Sequence, residues 1–209
     1  MRLLLVGASG LVGSQVLAQA LGDPRVDSVV ALVRRPIAEH PRLQALLVDF
    51  DALPESAPWW QADALICTLG TTRAKAGSPA AFRRVDHDYP LDVGRLALRA
   101  GTPTCVLNSA LGANADSRIF YNRVKGEVER DITALGFRSL TLVRPGLIGG
   151  EREEFRAGER LASVVLGALG PLLPRGWRIN PAAHIARAML DAALASEPGI
   201  RLISAERLV

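Results

Sequence analysis

The segment RLLLVGASGLVG, residues 2–13, drives an apolar run straight into glycines at positions 7, 10 and 13. The following LVGSQVLAQAL repeats apolar residues at helical spacing, so the segment predicts a strand, a tight turn and a helix. A second apolar run, VVALV at 29–33, arrives at the distance expected of a parallel partner reached by a right-handed crossover. One βαβ unit is therefore complete by Val33.

Runs at 45–48, 64–67, 104–107 and 140–143 are continuously apolar rather than alternating, as strands buried on both faces of a parallel sheet must be. Helical patterns occupy 79–100, 117–136, 181–195 and, more briefly, 158–169, with a last strand near Arg201–Ser204. This alternation predicts an α/β fold with a doubly wound, mainly parallel sheet of the Rossmann kind, helices on both faces and a small C-terminal lid region. At 209 residues we expect one domain spanning 1–209, with substrate-side elements mainly in 145–180. Ligands of such sheets bind beyond the carboxyl ends of the strands, where strand order reverses.

Composition narrows the function classes. Hydrophobic residues make up 49% and charged residues 22%, the balance of an ordinary globular protein. The apolar run in MRLLLVGASG is ended by glycine too early for a signal peptide or membrane span, so the expectation is a cytoplasmic protein without a membrane partner. Cys67 and Cys105 sit inside apolar strand patterns, which predicts inert thiols and no disulfide. His40, His87 and His184 lack the spacing and flanking ligands of a metal site, so none is expected. The formal charge of +4 comes from scattered arginines without interleaved aromatics, which argues against specific nucleic-acid binding. Of 25 basic residues only Lys75 and Lys125 are lysine.

The glycine spacing carries the first functional expectation. Gly7 permits the bend, Gly10 lets the backbone approach a pyrophosphate, and Gly13 lets helix and strand pack closely. The helix N-terminus adds free amides and a favourable dipole, so Gly7, Ala8, Ser9, Gly10, Leu11, Val12 and Gly13 form a candidate dinucleotide loop. After the second strand, Arg34 and Arg35 stand where a carboxylate would favour NAD(H). Guanidinium groups there favour the 2′-phosphate of NADP(H), although two surface arginines would look the same. Asp49 either accepts from the adenine amino group or caps the next turn, with the Phe50 amide beside it. Thr68, Leu69 and Gly70 follow the fourth strand and would line the ribose and diphosphate.

The second expectation is a proton-transfer group. Tyr121 and Lys125 share one helix face a turn apart, and an ammonium beside a phenol favours the phenolate. Tyr121 is thus the candidate general acid, protonating a carbonyl oxygen as hydride arrives. Ser109, at the end of the fifth strand, either binds the substrate oxygen or caps a turn. A lysine here, in a chain that almost always uses arginine, fits a role that needs a compact donor with a movable pKa.

With GASGLVG, Ser109 and YNRVK assembled, the chain resembles the short-chain dehydrogenase/reductase superfamily over nearly its whole length. The stretches LGTTRAKAGSPAAFRRVDHDYP, YNRVKGEVE and LVRPGLIGGEREEFRAGE resemble more narrowly the atypical branch containing the Tat-interacting oxidoreductases and their bacterial relatives. The resemblance implies that Ser109, Tyr121 and Lys125 are catalytic, that Lys125 also binds the nicotinamide ribose, and that Pro145, Leu147 and Ile148 flank the nicotinamide. It also implies that the loop carrying Arg73 and Lys75 covers the cofactor. Asp86 stands where the better-known branch often has asparagine, which sets the usual proton relay in question. The short region after Pro145 argues against nucleotide-sugar epimerisation.

The expected function is an NADPH-dependent oxidoreductase acting on a small carbonyl or alcohol, as monomer or homodimer. The alternative is a non-catalytic, NADPH-binding regulatory or redox-sensing protein. The apolar stretch 161–174 reads as a lid over the substrate, with Trp177 near it, and Trp59 and Trp60 as packing residues.

Overall fold

The computed structural model describes residues 1–149 and 179–209. Strand β1 (Arg2–Val6) leads into α1 (Leu11–Gly22), β2 (Ser28–Val33) and β3 (Leu43–Leu47). Then come β4 (Ala64–Cys67), α2 (Arg73–Ala76), α3 (Pro79–Arg83), α4 (Tyr89–Arg99) and β5 (Thr104–Asn108). Helix α5 (Phe120–Leu135), β6 (Ser139–Arg144), the short pair β7 (Ile148–Gly149) and β8 (Asn180–Pro181), α6 (Ala182–Ala195) and β9 (Gly199–Ser204) complete the described chain.

Seven strands form one sheet in the order β3-β2-β1-β4-β5-β6-β9, every pairing parallel. Order reverses between β1 and β4, which places Gly7 and Thr68 side by side at the carboxyl edge: Thr68 N–H donates to Val6 O at 2.8 Å. Because side chains alternate along a strand, Leu3 and Leu5 enter the layer packed by α1 and α6, while Leu4 and Val6 enter the layer packed by α4 and α5. Both layers are apolar. This is the doubly wound Rossmann arrangement read from the sequence.

Three differences have physical causes. Residues 45–48 read as a strand buried on both faces, but β3 lies at the sheet edge, covered on fewer sides, and Leu47 is 63% exposed. The helix read over 79–100 is continuous but widens into a π turn at Arg84–Asp88, where Tyr89 N–H reaches back to Arg84 O. Pro90 supplies the cause: it has no N–H for the Asp86 carbonyl four residues back, and its ring crowds that carbonyl unless the helix opens. The short α2, a 3₁₀ turn at Pro58–Trp60 and the β7–β8 pair carry too few residues to show a period. The helix expected at 158–169, the 161–174 lid and Trp177 lie outside the described residues.

Cys67 and Cys105 are free and buried on adjacent strands, and burial pushes the Cys67 thiol up to about 11. Trp60 is buried, its indole donating to Pro54 O at 2.9 Å, as a packing residue should. Among the described residues no helix is long and apolar enough to cross a membrane.

Candidate functional site

The glycine turn leaves almost no space. Gly7 has φ +90°, a left-handed value that glycine adopts without strain. A Cβ on Gly13 would lie 2.0 Å from Gly7 O and 2.6 Å from Thr68 Oγ1, and a Cβ on Gly7 would meet Thr68 at 2.6 Å. Helix α1 can therefore start hard against the end of β1 and the β4 loop. Gly10 N–H donates to Gly7 O at 2.9 Å, closing the turn. No side chain caps α1 and no acidic residue occupies its first turn, so its amino end stays free to receive an anion. Ala8 and Val12 are buried, Leu11 is half-buried, and Ser9 and Gly10 face solvent.

Arg34 and Arg35 follow β2 directly, are exposed, and form no ion pair with another described residue. Asp49 Oδ1 accepts from Asp51 N–H at 2.9 Å, so the turn-capping role is realised. The Phe50 ring is buried against Tyr89 with centroids 5.4 Å apart, leaving the backbone as the part of Phe50 able to meet a ligand. The Tyr89 hydroxyl donates to Asp51 Oδ1 at 2.6 Å. Burial and that bond together push the Tyr89 phenol up to about 12.

On the opposite side of the reversal point stands α5. Tyr121 is half-buried with its ring 5.7 Å from that of Phe82, and Lys125 is buried one turn later. Lys125 Nζ lies 2.7 Å from Asp86 Oδ1, while Asp86 Oδ2 accepts from Thr71 N–H at 2.8 Å. Burial works to lower the Lys125 pKa, but the charge of Asp86, with Tyr121 and the hydrogen bond to Asp86, outweighs it and the net shift is upward. The side chain is held as an ammonium.

Ser109 follows β5, its N–H donating to Val143 O at 2.7 Å. Its hydroxyl is buried without a partner among the described residues, so the turn-cap alternative is not what the structure shows. Pro145 is buried and its carbonyl accepts from Leu111 N–H at 2.8 Å, tying the β6 loop to the segment after Ser109. Leu147 is exposed and Ile148 half-buried. The Thr71–Lys75 segment is anchored by Thr72, whose hydroxyl caps α2, and Arg73 stacks over Phe120 at 5.8 Å, next to Tyr121.

The sequence reading noted Asp86 only as a departure from the resembled pattern, and three further residues escaped it. Glu129 is buried and holds Arg144 through both guanidinium arms, fixing the end of β6 to the helix that carries Lys125. Asn180 is fully buried, accepting from Gly146 N–H at 2.7 Å and donating to Ala205 O at 2.9 Å. Gly126 lets the 114–115 loop press on α5, since a Cβ there would fall 2.1 Å from Asn114 C. None of these three left a signal in the local sequence. His87 bridges Asp88 and Asp131 at 2.7 and 2.9 Å, a structural tie between the π turn and α5.

The glycine cradle at the strand-order reversal, with a buried lysine one turn from a tyrosine on α5, defines a Rossmann protein of the short-chain dehydrogenase/reductase pattern. Comparison with known proteins agrees. The sequence is 36% identical over 212 residues to FMP52 of Coccidioides immitis, covering 93% of this chain and 86% of that protein. It is 38% identical over 192 residues to HTATIP2 of Rattus norvegicus, covering 90% and 78%. The chain belongs to the atypical short-chain dehydrogenase/reductase family that contains these FMP52 and HTATIP2 proteins. No protein-family model matches. Among solved structures it is similar in fold to MoeE5 in complex with UDP-glucose and NAD, with TM-score 0.73, 18% identity, and coverage of 97% of this chain and 75% of that one. The PhqB reductase domain of Penicillium fellutanum gives TM-score 0.70 at 20% identity, covering 97% and 66%.

The fungal relatives are named as mitochondrial proteins, which overturns the cytoplasmic expectation. That expectation weighed only an apolar leader and a membrane span, and mitochondrial targeting depends on neither.

Proposed function

We propose that this chain is an NADP(H)-dependent oxidoreductase that reduces a small carbonyl group, with Tyr121 as general acid, Ser109 as the second hydrogen-bond donor to the substrate oxygen and Lys125 as the fixed cation beside them. The observation that carries the reading is the buried Lys125 ammonium one turn from Tyr121, packed beside Gly70 at the edge where the glycine cradle opens. A bound nicotinamide dinucleotide would supply the hydride. Its diphosphate fits the uncapped start of α1, and the exposed guanidinium groups of Arg34 and Arg35 suit a 2′-phosphate. Solved structures of the same fold bound to NAD, and one named as a reductase domain, support a nicotinamide cofactor.

The chemistry assigned to the residues is simple. Ser109 and Tyr121 hold the carbonyl oxygen, and the Tyr121 proton moves to that oxygen as the alkoxide develops, with the Lys125 charge one helical turn away. In the reverse direction the phenolate takes the proton back. Alkyl aldehydes and 9,10-phenanthrenequinone serve as probe carbonyls, with NADPH and NADH titrated by nicotinamide fluorescence. Turnover that Tyr121→Phe abolishes, with NADPH binding kept, supports the enzyme. Binding without any Tyr121-dependent turnover supports the regulatory alternative instead. Equal affinity for NADPH and NADH in the wild type and in an Arg34→Ala, Arg35→Ala variant would remove the cofactor preference.

A further inference from the structure

We propose that Asp86 is a positioning residue for this site: it locks Lys125 in the charged state and ties that charge to the β4–α2 loop through Thr71. The inference deepens the proposed function, because its catalytic consequence rests on the reading of Tyr121 and Lys125 as the proton-transfer pair.

The geometry is that of a two-armed clamp. Asp86 is 1% and Lys125 5% exposed, so both charges are withdrawn from water. One carboxylate oxygen takes the ammonium at 2.7 Å and the other takes the Thr71 amide at 2.8 Å. A Cβ on Gly70 would sit 3.4 Å from Asp86 Oδ1 and 3.7 Å from Nζ, so the loop backbone closes over the pair. The π turn brings Asp86 to this position on the face turned toward α5, while Arg84 in the same turn is exposed.

Among the described residues, the groups acting on Lys125 are few. Tyr121 comes from α5 itself, Cys67 from β4, and Asp86 from the π turn. Burial keeps the Cys67 thiol neutral at ordinary pH, so Asp86 is the one full negative charge there. A buried ammonium without a counter-charge gives up its proton readily. The clamp therefore keeps Lys125 a cation where burial alone would favour the neutral amine. An asparagine in its place would accept a hydrogen bond without supplying that charge.

The composition allows a direct test, since Lys75 and Lys125 are the only lysines. Protein labelled with ¹³C at lysine Cε gives two side-chain resonances, assigned with Lys75→Arg. In the wild type the Lys125 resonance is expected to remain that of an ammonium up to at least pH 10, near the ordinary lysine value of about 10.4. In Asp86→Asn its midpoint should fall by one pH unit or more, and in Asp86→Glu it should return toward the wild type. A wild-type Lys125 that titrates below about pH 9, or an Asp86→Asn midpoint unchanged, overturns the clamp. The first result needs no variant, so a misfolded Asp86→Asn still leaves a decision.

The catalytic arm uses phenanthrenequinone reduction with NADPH. Asp86→Asn should lower kcat tenfold or more and move the alkaline limb of the pH profile downward, and Asp86→Glu should recover part of both. An unchanged profile overturns the positioning role. If the wild type turns over no carbonyl, the failure belongs to the proposed function, and the resonance titration decides the clamp alone.

Discussion

Gly13→Ala puts a number on how tightly the glycine turn is built. The added Cβ would fall 2.0 Å from Gly7 O, 2.7 Å from Gly7 C and 2.6 Å from Thr68 Oγ1, where real Cβ atoms keep at least 3.0 Å. Two of those neighbours are backbone and cannot swing away. Relief requires the first turn of α1 to withdraw from β1 by about 1 Å, and overpacking of this kind costs roughly 1–3 kcal/mol. At about 2–4 °C per kcal/mol for a chain of this length, the melting temperature should fall by about 2–12 °C. On the proposed reading, the same withdrawal would take the amides of Gly10 to Gly13 away from the place of the cofactor's diphosphate, so NADPH affinity should weaken about tenfold or more, at 1.4 kcal/mol per decade. Gly22→Ala, at the other end of α1 with nothing within 4 Å, is the control. It should leave binding alone and stabilise by about 0.4–1 kcal/mol through the unfolded chain. Thermal melts and fluorescence titrations of both variants decide the matter. A Gly13→Ala protein that melts and binds NADPH like the wild type would refute the close-contact account.

Other expectations follow from the same contacts. Arg144→Met strands the buried Glu129 carboxylate and should cost about 2–4 kcal/mol in urea unfolding, somewhat below a fully buried pair because Arg144 is 29% exposed; adding Glu129→Gln should recover much of it. Tyr89 has a folded pKa of about 12, above its ordinary value of 10.0, so its stabilising bond to Asp51 is complete below pH 10 and fades as pH climbs to 12. The stability difference between wild type and Tyr89→Phe, followed by denaturant midpoints, should shrink across that window and stay flat below it. Gly126→Ala should push the 114–115 loop off α5, destabilise by about 1–3 kcal/mol and lower turnover with it. Unchanged kinetics in that variant would show that the loop does not position the helix.

The parts of this molecule that local sequence could reveal are those built from contiguous residues. Ala64–Cys67 was readable as a strand because four adjacent side chains are all buried between two helix layers, and the glycine turn because the Gly7–Gly13 contact is local, although Thr68, which crowds both glycines, comes from a distant strand end. The edge strand β3 was read at nearly its true place but with the wrong surroundings, since its apolar composition does not say that the sheet stops there. The pairs Asp86–Lys125, Glu129–Arg144 and Gly146–Asn180 join separate elements, and no periodicity marks one end as belonging to the other. Tyr121 and Lys125 were legible through helical spacing. The carboxylate that holds Lys125 was visible only as a departure from the resembled pattern.

Asn180 deserves a different kind of consequence. Its amide donates to Leu147 O at 2.7 Å, its side chain takes Gly146 N–H, and Ile148 pairs with it in register, so the chain leaves the β6 loop and rejoins it at one riveted joint. Asn180 is thus a pin with two ends: through one side chain the turn after β6 at Gly146 and the turn after β9 at Ala205 are held to each other, so a change that loosens either should be felt at both.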